Sequence, residues 1–480
     1  MPQTPENYKF GGGTSESLMH PAVIVLMLLA IICILVLPRK YTALPLLWMT
    51  LLVPVGQQIY LGGVHLFALR LVICFGLLRV LSSSKGPEGE LIFGGVNGID
   101  RAFLFCIVAQ AISVILLFHV GQAVVNQISY VLDWAGGYLF FRWALTGEED
   151  VYRSLKYLAL LVVLVAVAMT VEHVKMFNVF GLLGSSSTVP AMRDGTVRSS
   201  GPFEHAILAG TVGGVIAPLF MLLWSRGKSK ILCVAGLISA TVMTLTANAS
   251  TCLLAYASGF FALALWPLRK SMRKVRWGIL FGLVGLQLCM KAPIWFLIAR
   301  IDLTGASSSY HRALLVDQFV HHFWDWWLIG VADSAAWGLD MFDVQNQYVQ
   351  VGENGGLIAF VFFLVLISRS FGRIGDARKV IDGSKDQEWT LWVLGAALFA
   401  NVVGFFGVNY FDQSRMLWFL LLASISAVTT QFLASKPALA QEVPTQVGTG
   451  IGRPGLAIRV PEFRAPEQAV RRLGIRTPRT

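Results

Sequence analysis

The chain has 480 residues, 55% of them hydrophobic and only 14% charged, with a mean hydropathy of +0.66. A soluble domain carries about 25% charged residues, so the composition excludes an ordinary soluble enzyme and indicates a multi-pass membrane protein. The formal net charge of +11 is gathered in short segments between apolar runs. That distribution reads as orientation signals rather than as a nucleic-acid surface.

The polar opening, residues 1–19, lacks a basic region just before the first apolar run and an A-x-A site, so no cleaved signal peptide is read. A helix that crosses a bilayer needs roughly 20 apolar residues, and about thirteen segments approach that rule. They start near 20–37, 43–61, 64–81, 102–120, 124–141, 155–172, 204–224, 231–246, 250–267, 277–295, 355–369, 390–408 and 415–433. The segment 124–141 holds Asp133 and a Gly136-Gly137 pair, which marks it as tilted or re-entrant and sets the expectation at twelve to thirteen spans. The expected fold class is all-α, a transmembrane helical bundle over 20–434.

Basic loops set the orientation, because Lys and Arg stay on the cytoplasmic side. LRKSMRKVR (268–276), SRGKSK (225–230), PRK (38–40) and the 369–389 loop fall on one side if the spans alternate, and so does the C-terminal tail. Two long segments, 173–203 and about 296–354, are then extracytoplasmic. The second is rich in aromatic and apolar residues, as expected of short helices packed on a membrane surface. The tail, 435–480, is rich in Pro, Gly and Arg and reads as disordered. Its Arg471, Arg472, Arg476 and Arg479 either rest on anionic lipid or stay solvated.

All six cysteines, at 33, 74, 106, 233, 252 and 289, lie in apolar runs at no metal-ligand spacing. They read as small buried hydrophobes. No phosphate-binding Gly loop, HExxH, GxSxG or EF-hand pattern is present, so no nucleotide, metal or redox cofactor is expected.

Polar groups concentrate in three stretches of the outer segments. In MRDGTVRSSGPFEHAILAG, Arg193 and Arg198 precede a Ser-Ser-Gly-Pro turn, and Glu204 and His205 open a span. A Ser/Gly turn beside arginines at a helix start suits an anion. In TGASSSYHRALLVDQFVHHFWDWW, His311 and Arg312 begin an amphipathic helix, and the adjacent His321 and His322 point about 100° apart. In MFDVQNQYVQVGENGG, Asp343, Gln345, Asn346, Tyr348 and Glu353 stand at the lip of an apolar run. Arg70, inside an apolar run, either pairs with an acid such as Asp133 or touches a lipid phosphate.

The order of these stretches resembles the O-antigen ligase and polymerase superfamily of bacterial integral-membrane glycosyltransferases. The family's Arg-x-x-Gly-x-Phe-x-His stretch is matched by Arg198, Gly201, Phe203 and His205. Its loop arginine is matched by Arg312, and its His-Asn-x-Tyr and Glu-x-Gly by Gln345, Asn346, Tyr348, Glu353 and Gly355. The match covers roughly 155–430. The resemblance implies transfer of a glycan from undecaprenyl diphosphate to an acceptor sugar, with inversion and without a metal. It implies diphosphate binding by Arg198 and Arg312, with Arg193 in reserve, and contacts to the lipid-linked substrate from Asn346 and Tyr348. It also implies partners: the lipid-linked glycan, membrane lipid, and a chain-length regulator or other assembly proteins.

One position departs from the pattern. Gln345 stands where the family has His, and a carboxamide is no proton acceptor near neutral pH. Either His205, His311, Asp343 or Glu353 takes the base role, or Gln345 only orients the acceptor. A flippase of lipid-linked oligosaccharide and a non-catalytic scaffold are the competing readings.

Overall fold

Long runs of Leu, Val, Ala and Ile form helices here because a backbone away from water must satisfy its own N–H and C=O groups. The computed structural model describes residues 17–61, 64–83, 91–184, 186–225, 229–300, 309–381 and 383–434. The expected disordered tail, with Arg471, Arg472, Arg476 and Arg479, and residues 1–16 lie outside these.

Helices α1 (Pro21–Val36) and α2 (Ala43–Leu52) lead to strands β1 (Gln58–Leu61) and β2 (Val64–Phe67), then α3 (Ala68–Ser82). Next come α4 (Gly98–Phe118), α5 (Gly121–Ala144) and α6 (Glu148–Lys175). A second hairpin, β3 (Ala191–Arg193) and β4 (Thr196–Arg198), precedes α7 (Ala206–Ser225), α8 (Lys230–Thr246), α9 (Ser250–Ala264) and α10 (Met272–Cys289). Two short helices, α11 (Ser309–His321) and α12 (Phe323–Trp326), lead into α13 (Gln347–Val380), α14 (Lys385–Gly404) and α15 (Asp412–Ala434). The described residues form an all-α bundle with two small hairpins.

Among the described residues, five helices are long and apolar enough to cross a membrane: α4, α6, α7, α13 and α15. A sixth is added if α9 and the helical stretch Trp266–Cys289, bent by 71°, count together. This is fewer than the expected twelve to thirteen, for local reasons. Residues 43–61 form a ten-residue helix followed by β1, and 64–81 begin with β2. Helices α1 and α8 are apolar but have only 16 and 17 residues. Helix α5 runs unbroken for 24 residues and carries Asp133 and Arg142. Its glycine pair makes room for neighbours: a Cβ on Gly136 would meet Ile73 at 2.8 Å, and one on Gly137 would meet Met416 at 3.1 Å.

Helices α7 and α15 are central, since 89% of the apolar window of each is buried, against 33% for α13 and 39% for α4. Helix α7 packs against α8, α9 and α14, and α13 packs against α4. The small-residue face of α7 permits this approach, because a Cβ on Gly213 would lie 2.6 Å from the Ala240 carbonyl oxygen.

Ion pairs hold several of the buried charges. Arg70 meets Asp133 through two hydrogen bonds, 2.9 and 2.8 Å, so the pairing alternative holds for this residue. Arg142, fully buried, bonds Asp100 at 3.2 Å, and the Tyr138 hydroxyl donates to the same carboxylate.

Candidate functional site

The three polar stretches meet around one cavity of about 1220 Å³. Its wall includes Arg193, Arg198, His205, Arg312, Asp343, Gln345 and Glu353, residues spread over 160 positions of sequence.

A hairpin presents the first two arginines. Asp194 and Gly195 both have positive φ, 49° and 75°, the condition for a tight two-residue turn. Arg193 pairs with Thr196 and Ala191 with Arg198. Cross-strand partners share a face, and so do residues two apart on one strand, so Arg193 and Arg198 project on the same side. The Asp-Gly dipeptide between Met-Arg and Thr-Val-Arg is the signal that would have found this hairpin.

The turn after the hairpin differs from the expected anion cradle. Ser200 N–H and Gly201 N–H donate to the two oxygens of Glu172, at 3.0 and 2.8 Å. Glu172, on α6 and fully buried, therefore occupies the backbone donors that seemed available to an external anion. It fixes the chain just after Arg198, whose Nε donates to the Ala247 carbonyl at 3.3 Å.

Arg312 enters from α11. It is buried, and its Nη2 donates to Gln345 Oε1 at 3.4 Å, while its Nε has no hydrogen-bond partner. Gln345 Nε2 donates in turn to Asp343 Oδ2 at 2.5 Å. Among the described residues neither Arg198 nor Arg312 forms an ion pair with a carboxylate. Burial lowers the pKa of both guanidinium groups, and Arg193 lowers both further. Arg198 also acts on Arg312 in that direction. Arg198 and Arg312, each disfavoured by cationic neighbours, have no carboxylate partner, whereas Arg193 faces Asp194 at 3.8 Å; an anionic ligand supplies the missing counter-ion.

No family model and no curated protein matches the chain.

Other expected site residues sit differently. Asn346 caps α13: its Oδ1 accepts from Tyr348 N–H at 2.9 Å and Val349 N–H at 3.2 Å. The Tyr348 hydroxyl donates to the Val402 carbonyl at 2.9 Å. Neither lines the cavity. Asn346 Nδ2 also donates to the Phe406 carbonyl at 3.3 Å, so both side chains dock the start of α13 onto the end of α14. His311 also stands off the wall, with a ring nitrogen 3.2 Å from the Asp343 carbonyl oxygen. His321 and His322 face Asp317 and Asp325 outside the cavity.

Glu353 is buried and accepts from the Ser334 hydroxyl at 3.2 Å. The glycines after it break the helix. Gly356 has φ 64°, and the Leu357 N–H reaches the Trp327 carbonyl at 2.8 Å. Opposite, Gly330 has φ 89°, and a Cβ there would lie 2.0 Å from the Glu353 carbonyl oxygen. The Val331 N–H also donates to that oxygen at 2.8 Å, which clamps the 327–331 loop to α13 beside the cavity.

Arg415 was missed by the sequence reading. It lines the cavity from α15 and shares Asp133 with Arg70, at 3.3 Å. Its position at the start of an apolar run was the available signal.

Proposed function

We propose that this chain is an integral-membrane inverting glycosyltransferase. It polymerises or ligates surface polysaccharide, O-antigen or exopolysaccharide, from undecaprenyl-diphosphate-linked oligosaccharide. The carrying observation is the convergence of Arg193, Arg198 and Arg312 on one cavity, the latter two without a carboxylate partner. The distribution of basic loops supports a bacterial cytoplasmic membrane location, chemistry at the outer face and a cytoplasmic C-terminus.

In this reading the acceptor hydroxyl oxygen attacks the anomeric carbon as the bond from that carbon to the diphosphate oxygen breaks. The electron pair leaves with the diphosphate, and preorganised arginines stabilise its developing charge. The hydroxyl proton passes to Asp343, which is exposed and lines the cavity. Gln345 replaces a ring base with a neutral bridge that holds Asp343 and Arg312 in one relation. The test is reconstitution of the full chain in proteoliposomes with undecaprenyl-diphosphate-linked oligosaccharide. New glycosidic bonds, seen as longer chains or as transfer to an acceptor, are expected. Movement of the glycan across the bilayer with no new bond would instead assign a flippase.

A further inference from the structure

One part of the cavity wall is not used by the diphosphate chemistry. It comprises Gln110 on α4, Arg415 on α15, and Asn126, Gln127, Tyr130 and Trp134 on α5. Residues 126, 130 and 134 are four apart, so they stack along one face of α5.

The charge here is unbalanced. Arg70 engages both oxygens of Asp133, and Arg415 Nη2 reaches the same carboxylate at 3.3 Å. Two guanidinium groups thus share one carboxylate, which leaves a positive charge over. The Nε of Arg415 is buried without a hydrogen-bond partner. So is the Oε1 of Gln127, a residue only 6% exposed, whose Nε2 is already given to Asn126 at 2.9 Å. The Tyr130 hydroxyl donates to Gln110 Oε1 at 3.0 Å, which leaves the amide nitrogen of Gln110 free to donate. A buried donor or acceptor without a partner is costly, and these groups call for a ligand bearing both hydroxyls and a negative charge. The Tyr130 and Trp134 rings, 5.2 Å apart, add an apolar wall.

We propose that this end of the cavity is a subsite for a carboxylate-bearing sugar, a uronic acid or similar acidic residue of the glycan. The carboxylate pairs with Arg415, a hydroxyl donates to Gln127 Oε1, and the apolar ring face lies against Tyr130 and Trp134. A second diphosphate fits less well, because one surplus charge among carboxamides and aromatics does not match a polyanion. The subsite deepens the proposed function and rests on it for the identity of the glycan.

The test measures binding to the purified full chain by calorimetry, with three probes. These are a glucuronate-terminated tetrasaccharide, its carboxyl-reduced neutral counterpart, and farnesyl diphosphate. The wild type is expected to bind the acidic sugar at least about tenfold more tightly than the neutral one, the scale of one charge-assisted contact. Arg415→Gln is expected to erase that preference and leave farnesyl diphosphate binding unchanged, and Arg415→Lys to restore part of it. Asp133 keeps both bonds to Arg70 in these variants. Gln127→Leu, which disturbs no ion pair, is expected to weaken both sugars alike. Equal binding of the two sugars by the wild type overturns the subsite, as does unchanged sugar binding in Gln127→Leu. Loss of farnesyl diphosphate binding in Arg415→Gln assigns Arg415 to the diphosphate and also overturns it. A wild type that prefers the acidic sugar but binds no farnesyl diphosphate supports the subsite and strikes the proposed function alone.

Discussion

Arg312 donates to Gln345 at 3.4 Å, and through that carboxamide it is tied to Asp343. A carboxamide accepts and donates at once and carries no charge, so it spaces a cation and a carboxylate without neutralising either. Asp343→Asn is expected to reduce transfer about 10²–10⁴-fold, the contribution of a positioned general base, with diphosphate binding retained. Gln345→His is expected to be tolerated, since a neutral imidazole also offers a donor and an acceptor. Single-turnover rates alongside diphosphate affinity check both; an Asp343→Asn enzyme at full rate removes the base assignment.

Glu172 positions the segment that follows Arg198. Glu172→Ala strips the Ser200 and Gly201 amides of their acceptor, at a cost of about 1–3 kcal/mol for the buried Gly201 donor and less for the part-buried Ser200. Glu172→Gln keeps one acceptor oxygen and should lose roughly half as much. Thermal unfolding in detergent reads the stability, and the same variants should weaken diphosphate binding in that order. An Ala variant as stable as wild type contradicts this role.

The Gly330–Glu353 contact makes a third expectation. Gly330→Ala meets a carbonyl oxygen at 2.0 Å from a positive-φ backbone, so it should displace the 327–331 loop and lower both stability and activity. Gly372→Ala, on the same α13, meets nothing within 4 Å and should be neutral or stabilising by about 0.4–1 kcal/mol. Expression and melting temperature of the pair separate the two outcomes.

Much of the helical framework was legible in the sequence, because apolar runs in a low-charge chain leave little choice but helix. The hairpin at Gln58–Phe67 was not, since QIYLGGVHLF is apolar enough to pass for parts of two spans. Arg193, Arg198, Arg312, Asp343, Gln345 and Glu353 are legible as polar groups of the outer segments. Their meeting in one cavity was not visible, because it depends on how distant helices pack. Asn346 shows the limit of motif matching: an Asn just before a helix reads equally as a ligand contact and as a cap, and here it caps. Glu172 carried no signal at all, being one acid near the end of a long helix, 28 positions from its partner Ser200.

The central claim is that the arginine-lined cavity transfers a diphosphate-linked glycan. It is tested most directly by reconstituting the wild type, Arg198→Ala and Arg312→Ala with undecaprenyl-diphosphate-linked oligosaccharide and resolving the products by chain length. The account predicts elongated or transferred product with the wild type. Each variant should fall by about 10²–10³-fold, the typical loss of one preorganised transition-state contact, at equal membrane abundance. Undiminished product from both variants would contradict it.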